Sequence, residues 1–455
     1  MSDLQGSKSR WSASSWEQSP NAQPLEYDDP AALAQAIAEL GRLPPLVTSW
    51  EVVRLRELIA SAQRGERFLL QGGDCAETFD DCSPDIITSK LKILLQMSLV
   101  LVHGLRKPVL RIGRFAGQYA KPRTSAHETK GDVSLPAYRG DLVNHASFDA
   151  RSRRHDPTLL VEAHKHAALT LNFVRSLVAG GFADFHRADA WDMSFFERAD
   201  LGASLRAEYR NMGRKLREAI GFAEALGEKT AVELARVDFY SSHEGLNLHY
   251  EAAQTRTVPH REGYFDLSTH FPWIGERTRQ LDGAHVEFFR GIENPVGVKI
   301  GPRTTEDELA ALLDVLDPKR TPGKIVLITR FGADAVARVL PPLVERARKE
   351  ARPVLWVSDP MHGNTTTTAS GAKTRDFDQI LLELERSIDV HSSIGSVLGG
   401  VHFELTGEDV TECIGGGLRE EDLDRNYASL CDPRLNYRQS LEMAFRLAKK
   451  LSPTS

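Results

Sequence analysis

From Arg67 onward the chain repeats one order: a short apolar run, a stretch with helical or loop character, then another apolar run. Eight runs carry the β-favouring residues of strands: RFLLQ (67–71), PVLRIG (108–113), ARVDFYS (235–241), YFDLSTHFPWI (within 264–274), VGVKI (296–300), KIVLIT (324–329), PVLWVS (353–358) and LGGVHFEL (398–405). Val354, Leu355, Trp356 and Val357 are apolar without alternation, the pattern of a strand covered on both faces. Strand, helix, strand in repeated order implies a parallel sheet, because the helix is the crossover. Eight such units favour a (β/α)8 TIM barrel. An open doubly wound sheet would want a Gly-rich dinucleotide loop after its first strand, and QGGDCAETF does not match GxGxxG.

Residues 1–66 precede the barrel, which takes 67–455. The first thirty residues mix Ser, Pro and Gln with Trp11 and Trp16, an arm whose aromatics dock on a surface. Helical patterns follow at 29–43 and 49–65, the first opened by Asp29 before Pro30, an N-cap with proline at the first helical position. Between the second and third strands lie about 120 residues with helical patterns at 157–178 and 197–227, read as one crossover helix plus a helical insertion at about 190–227. TTEDELAALLDVL (304–316) carries a capping box, Thr305 with Glu308, and the helical pattern at 332–350 holds prolines expected to interrupt it.

Composition narrows the function classes. With 41% hydrophobic and 26% charged residues the chain reads as an ordinary globular protein. A net charge of -6 gives no counterion-release drive toward nucleic acid, and RSRRH (151–155) is too short to reverse that, so no nucleic-acid partner is expected. The N-terminus has no apolar h-region and no run of about 18 uninterrupted apolar residues occurs, so the expectation is a cytoplasmic protein with no membrane partner. Cys75, Cys82, Cys413 and Cys431 form no CxxC pair, which argues against a disulfide scaffold or a zinc knuckle.

In a barrel the C-terminal ends of the strands share one mouth, so polar residues there converge from distant sequence. These ends carry Asp74 and Cys75, Arg114, His243 and Glu244, Glu276 and Arg277, Lys299, Arg330, Asp359 and His362, and Glu404. Arg114, Arg277, Lys299 and Arg330, with Lys121 and Arg123 from GQYAKPRT, place up to six cations around one opening. Such a gathering calls for ligands bearing phosphate or carboxylate groups, although any single Arg also suits a surface salt bridge. Cys75, His362, Glu404 and, past the last strand, Asp432 offer thiolate, imidazole and carboxylate to a divalent transition metal. Each also has a plain structural use: a small buried hydrophobe, a hydrogen-bonded core histidine, an arginine partner and a turn or helix cap.

The blocks QGGDCAETF, GRFAGQYAKPRT, SSHEGL, WIGERTRQLDGAH, GVKIGP, SDPMHGNT, GGVHFELTGEDVTECIGG and CDPRLN, spread over roughly residues 70 to 435, together resemble the type II family of 3-deoxy-D-arabino-heptulosonate 7-phosphate (DAHP) synthases. The resemblance implies a (β/α)8 barrel and a metal-dependent condensation of phosphoenolpyruvate with erythrose 4-phosphate and water, the first step of the shikimate pathway. It implies metal ligands at Cys75, His362, Glu404 and Asp432, the ion being Mn2+ first, with Co2+, Fe2+ or Zn2+ as alternatives. Phosphoenolpyruvate contacts fall on Arg114, Glu276, Arg277, Lys299 and Arg330, and erythrose 4-phosphate contacts on Lys121, Pro122, Arg123 and Thr124. Thr124 departs from the family's serine but keeps the hydroxyl. Glu276 and a water linked to Lys299 are the candidates for handling the proton of the attacking water.

The arm, its two helices and the insertion resemble additions that build subunit interfaces and aromatic amino acid sites in feedback-regulated members. They imply a homodimer or homotetramer, inhibition by Phe, Tyr or Trp, and association with a chorismate mutase. The competing reading is that these helices only cap the barrel's far end. A Cys75 to Cys431 disulfide formed after metal loss is a further expectation. Alternatives in function are a paralogue in secondary metabolism (phenazine-type or an aminoDAHP synthase), a metal-dependent aldolase with another acceptor, and a catalytically silent binding protein.

Overall fold

A computed structural model of the chain describes residues 11–179, 202–225 and 238–452. Its centre is a closed parallel barrel of eight strands: β1 (Phe68–Gly73), β2 (Val109–Arg114), β3 (Phe239–Glu244), β4 (Phe271–Ile274), β5 (Val296–Ile300), β6 (Ile325–Thr329), β7 (Val354–Ser358) and β8 (Leu398–Glu404). Each strand pairs with its neighbours in chain order and β8 closes on β1. Alternate side chains point inward, and Leu69, Leu110, Ile112, Tyr240, Phe271, Trp273, Val326, Ile328, Leu355 and Val357 fill the interior as a packed core.

The helix Ser49–Gln63 plugs the barrel's N-terminal end. Its Leu55, Leu58, Ile59 and Ala62 belong to the same interior cluster, and Gln63 Nε2 donates to the Pro353 carbonyl just before β7 at 2.6 Å. A full capping box, Thr48 with Glu51, starts that helix, so its entry is set locally and its apolar face is free to seal the barrel. Pro30–Arg42 begins at the Asp29 cap and Glu306–Leu316 at the Thr305–Glu308 box, both as their sequences dictate. The arm docks through its tryptophans: Trp11 Nε1 donates to the Glu287 carbonyl at 3.0 Å and Trp16 is buried edge-on to His249.

Two local expectations are corrected, and the start of a third lies outside the described residues. The fourth apolar run is two strands: Arg261–Asp266 pairs antiparallel with Thr255–Val258, and only Phe271–Ile274 enters the barrel. Buried Asp266, Ser268, Thr269 and His270 break the run, with Asp266 Oδ1 accepting the Ser268 N–H at 3.0 Å to turn the chain. The described part of the third strand begins only at Phe239; residues 235–237 lie outside the described residues. Finally, Val336–Lys349 runs unbroken through Pro341 and Pro342. Its buried stripe of Val336, Val339, Leu340, Leu343, Val344 and Ala347 holds the helix together, and that packing offsets the two lost donors.

Of the insertion, a helix at Ala203–Ala225 is described; residues 180–201 and 226–237 lie outside the described residues. Pro84–Leu105 is long and apolar enough to cross a membrane by length and composition, and it packs on the barrel's flank against Tyr437–Leu451, with most of its apolar window buried.

Candidate active site

The register at the top of the barrel explains the Gly-Gly before Asp74. Gly73 lies between Arg114 of β2 and Glu404 of β8. Its φ is +143°, and a Cβ there would stand 2.8 Å from the Arg114 carbonyl. With no side chain on β1 at this level, the Arg114 guanidinium crosses the strand: Nε donates to the Asp74 carbonyl at 2.9 Å and Nη2 to Glu404 Oε1 at 2.9 Å. On its far side, His402 Nε2 stands 2.6 Å from Nη1. His402 Nδ1 is tied to Gln71 Oε1 at 2.7 Å, which leaves Nε2 as the acceptor.

The abrupt end of β7 has an equally local cause. Asp359 Oδ1 accepts the backbone N–H groups of Met361 at 3.1 Å and His362 at 3.3 Å, folding the chain back and lifting His362 into the mouth. Asp359 Oδ2 then accepts from His362 Nδ1 at 2.8 Å and from Lys299 Nζ at 2.8 Å. The Nδ1 proton is thereby committed, and Nε2 faces Glu404 Oε1 at 3.0 Å.

Cys75 Sγ and carboxylate oxygens of Glu404 and Asp432 all lie within 4.8 Å of one another, although they come from opposite ends of the chain. His362 stands outside that mutual grouping but touches Glu404, its Nε2 3.0 Å from Oε1. A thiol, an imidazole nitrogen and two carboxylates form a donor set that fits a divalent transition metal. The charge balance fits as well. The Lys121 ammonium sits among the same atoms, 2.7 Å from Cys75 Sγ, 3.3 Å from Glu404 Oε1 and 3.0 Å from Asp432 Oδ2, so the anionic donors are arranged around a positive charge. Burial pushes the Cys75 thiol well above its usual range, and ionising it calls for just such a cation. Burial acts the same way on Glu404, but His362, Lys121, Arg375 and Arg114 outweigh it and hold the carboxyl far below the usual range. Cys75 and Cys431 are both free thiols in one buried cluster with Tyr138.

Two supports for this set were not foreseen from sequence. Arg375, fully buried in a hairpin after β7, donates to Glu404 Oε2 at 2.6 Å and to the Pro433 carbonyl at 2.5 Å. Arg434 donates to Asp74 Oδ1 at 2.7 Å and grips Glu412 through Nε and Nη2. Together they clamp the segments that carry Cys75, Glu404 and Asp432.

Beside this set the cations gather, most of them paired with carboxylates. Lys299 is paired with Asp359, Arg330 with Glu276, and Arg114 and Lys121 with Glu404. Arg330 Nη2 also donates to the His362 carbonyl at 2.8 Å. Among the described residues, Arg277 and Arg123 have no carboxylate partner. Arg277 donates to Thr124 Oγ1 at 3.0 Å, and Arg123 Nε donates to the Tyr138 carbonyl at 2.5 Å. Pro122 is buried between Lys121 and Arg123. Arg114 and Lys299 both stand over the Trp273 ring, 5.3 and 5.9 Å from its centroid, so that indole floors the mouth.

Glu276, held by Arg330, is less free than its sequence position suggested. Glu244 is the contrasting carboxyl: it is buried, its Oε1 has no hydrogen-bond partner among the described residues, and a Cβ at Gly275 would fall 2.0 Å from that oxygen. Burial raises its pKa, against the pull of Lys299, Lys121, Arg277 and Arg114. Its place at the end of β3 was visible in the sequence; its lack of a partner was not.

Comparison with known proteins agrees with this geometry. Residues 11–448 match the model of the Class-II DAHP synthetase family. A phospho-2-dehydro-3-deoxyheptonate aldolase of Neurospora crassa is 46% identical over 96% of this chain and 94% of its own length. A protein of the same name from Streptomyces coelicolor is 47% identical over 95% of this chain and 96% of its own. Among solved structures, the phospho-2-dehydro-3-deoxyheptonate aldolase of Francisella tularensis aligns over 94% of this chain and 98% of its own at 14% identity and a TM-score of 0.47. With a family match over nearly its whole length and relatives this similar on the same residues, the chain belongs to the class-II DAHP synthetase family and is a transferase.

Proposed function

We propose that this chain condenses phosphoenolpyruvate with erythrose 4-phosphate and water to give DAHP and inorganic phosphate, using one divalent metal, Mn2+ by preference, held by Cys75, His362, Glu404 and Asp432. The reading is supported above all by Cys75, Glu404 and Asp432 standing within 4.8 Å of one another, with His362 against Glu404, next to a row of strand-end cations. A metal bound there supplies Lewis acidity to the aldehyde oxygen of the acceptor.

The chain's own residues do the rest. Arg114 and Lys299 stand over the Trp273 floor and, with Arg330 and Arg277, orient the phosphate and carboxylate of phosphoenolpyruvate, while Lys121, Arg123 and Thr124 receive the phosphate of the sugar, Thr124 bridging the two groups through its bond from Arg277. Held so, C3 of phosphoenolpyruvate attacks the aldehyde carbon, and water adds at C2, where positive charge develops. The proton of that water goes to Glu244, the buried carboxyl whose Oε1 has no hydrogen-bond partner among the described residues. Breakdown at C2 then expels phosphate with the C–O bonding electrons as the C2 hydroxyl passes its proton to the departing phosphate and becomes the ketone, while the proton taken by Glu244 returns to the alkoxide formed from the aldehyde. Lys299, fixed by Asp359, keeps its ammonium against the C2 carboxylate throughout.

A phosphate-release assay with both substrates, with and without chelator, tests this directly. Release that needs the sugar and is lost on chelation supports the reading; release without the sugar contradicts it. The role in the shikimate pathway, a cytoplasmic location and an interface role for residues 1–66 in a homodimer or homotetramer belong to the same proposal. Sedimentation with and without Phe, Tyr or Trp checks the last of these.

A further inference from the structure

We propose that the N-terminal arm positions the Lys121–Thr124 segment, and that Gln23 is the residue through which it acts. The inference rests on the reading that this segment binds erythrose 4-phosphate. Residues 121–126 form neither helix nor strand, so no ladder holds the backbone of Arg123. It is held instead by a side chain 100 residues earlier. Gln23 Nε2 donates to the Arg123 carbonyl at 3.1 Å, and Gln23 Oε1 accepts the Arg123 N–H at 3.1 Å. The amide thus pairs with one peptide in both directions, as a neighbouring strand would. Arg139 Nη1 donates to the same Oε1 at 3.0 Å, and the Arg139 carbonyl accepts the Lys121 N–H at 2.9 Å, which closes the brace around the segment.

The arm is itself anchored on both sides of Gln23. Before it, Trp16 is buried and the Pro20 carbonyl accepts the Ala284 N–H at 2.8 Å. After it, the Glu26 carbonyl meets His155 Nδ1 at 2.8 Å and the Tyr27 hydroxyl accepts from Asn247 Nδ2 at 3.0 Å. Gln23 is 9% exposed, so its bonds are not traded freely with water. A merely solvated tail would need neither the anchors nor the two-way amide pairing. A strap that fixes where the Arg123 guanidinium points needs both.

The test is a set of Michaelis constants for Gln23→Ala, Gln23→Glu and Arg123→Ala in the full chain with metal present, beside their melting temperatures. Gln23→Ala is expected to raise the constant for erythrose 4-phosphate roughly tenfold while that for phosphoenolpyruvate stays within about twofold. Gln23→Glu, which keeps the acceptor for Arg123 and Arg139 but loses the donor, is expected to fall between wild type and Gln23→Ala. A Gln23→Ala enzyme with both constants unchanged, or both raised alike, overturns the strap if Arg123→Ala still raises the sugar constant alone. If Arg123→Ala leaves the sugar constant unchanged, the assignment of the segment to erythrose 4-phosphate fails, and the strap fails with it for that separate reason.

Discussion

The inner and outer halves of the barrel mouth are built on opposite plans. Inside, the fully buried Glu404 touches Arg114, Lys121, His362 and Arg375, so both of its oxygens are committed before any ligand arrives. At the rim, Arg277 is exposed and its guanidinium rests on one hydroxyl, while Arg123 owes its backbone position to the arm. The inner half is preorganised by charge, which suits the proposed role of holding a small ion that polarises one atom. The outer half keeps unspent donors, which suits the proposed role of receiving a large, mobile phosphate.

Removing an inner ligand is therefore expected to give the largest effect. Glu404→Gln leaves three cations and an imidazole around a neutral amide, and metal-dependent turnover should fall at least about a thousandfold, with metal affinity measured alongside. If Glu404→Gln retains normal metal affinity, the inner half is not a metal site. Next comes Glu244→Gln, expected to lower turnover about a hundredfold or more. The sign of its pH dependence follows from burial: with the pKa raised, the ionised base is lost as pH falls through a value above the ordinary Glu range, so the acidic limb lies higher than usual. Glu244→Gln should abolish that limb; an unchanged profile would move the proton to another group.

Arg375→Met tests the inner half through stability. It strips the partner from a wholly buried carboxylate oxygen, and unfolding measurements should show a loss of about 3 kcal/mol, with metal affinity about tenfold weaker. Equal melting temperatures for variant and wild type would mean that Arg114 and Lys121 suffice. At the rim the smallest change is expected. Thr124→Ser keeps the hydroxyl that Arg277 uses, and the erythrose 4-phosphate constant should move by less than about twofold. A large shift there would show the rim to be as tightly specified as the interior, and the contrast would vanish.

The same contrast marks what could be read from sequence. The barrel was legible because a strand covered on both faces leaves an unbroken apolar run, as Val354 to Val357 do. The split of 264–274 was not, since Asp266 and His270 are polar yet buried, and the groups that bond the Asp266 N–H and His270 Nδ1, Asn294 and Ser241, lie outside the run. Cys75, His362 and Glu404 stood out because strand ends converge in a barrel. Arg375 gave no such signal: it sits in a hairpin beyond any strand end, and only the fold brings it to Glu404. Asp359 was readable in retrospect, three residues before His362, where an Asx turn and an imidazole orienter coincide. Gln23 could not be found without the fold, because nothing local ties it to Arg123.

The most direct measurement is a cobalt(II) titration of the metal-stripped chain, followed by its absorption spectrum. Saturation at a single equivalent, with a thiolate-to-cobalt charge-transfer band that Cys75→Ser removes while Cys431→Ser leaves it in place, is the predicted result. A spectrum without that band, or one that Cys75→Ser does not change, would contradict a common ion shared by Cys75, His362, Glu404 and Asp432.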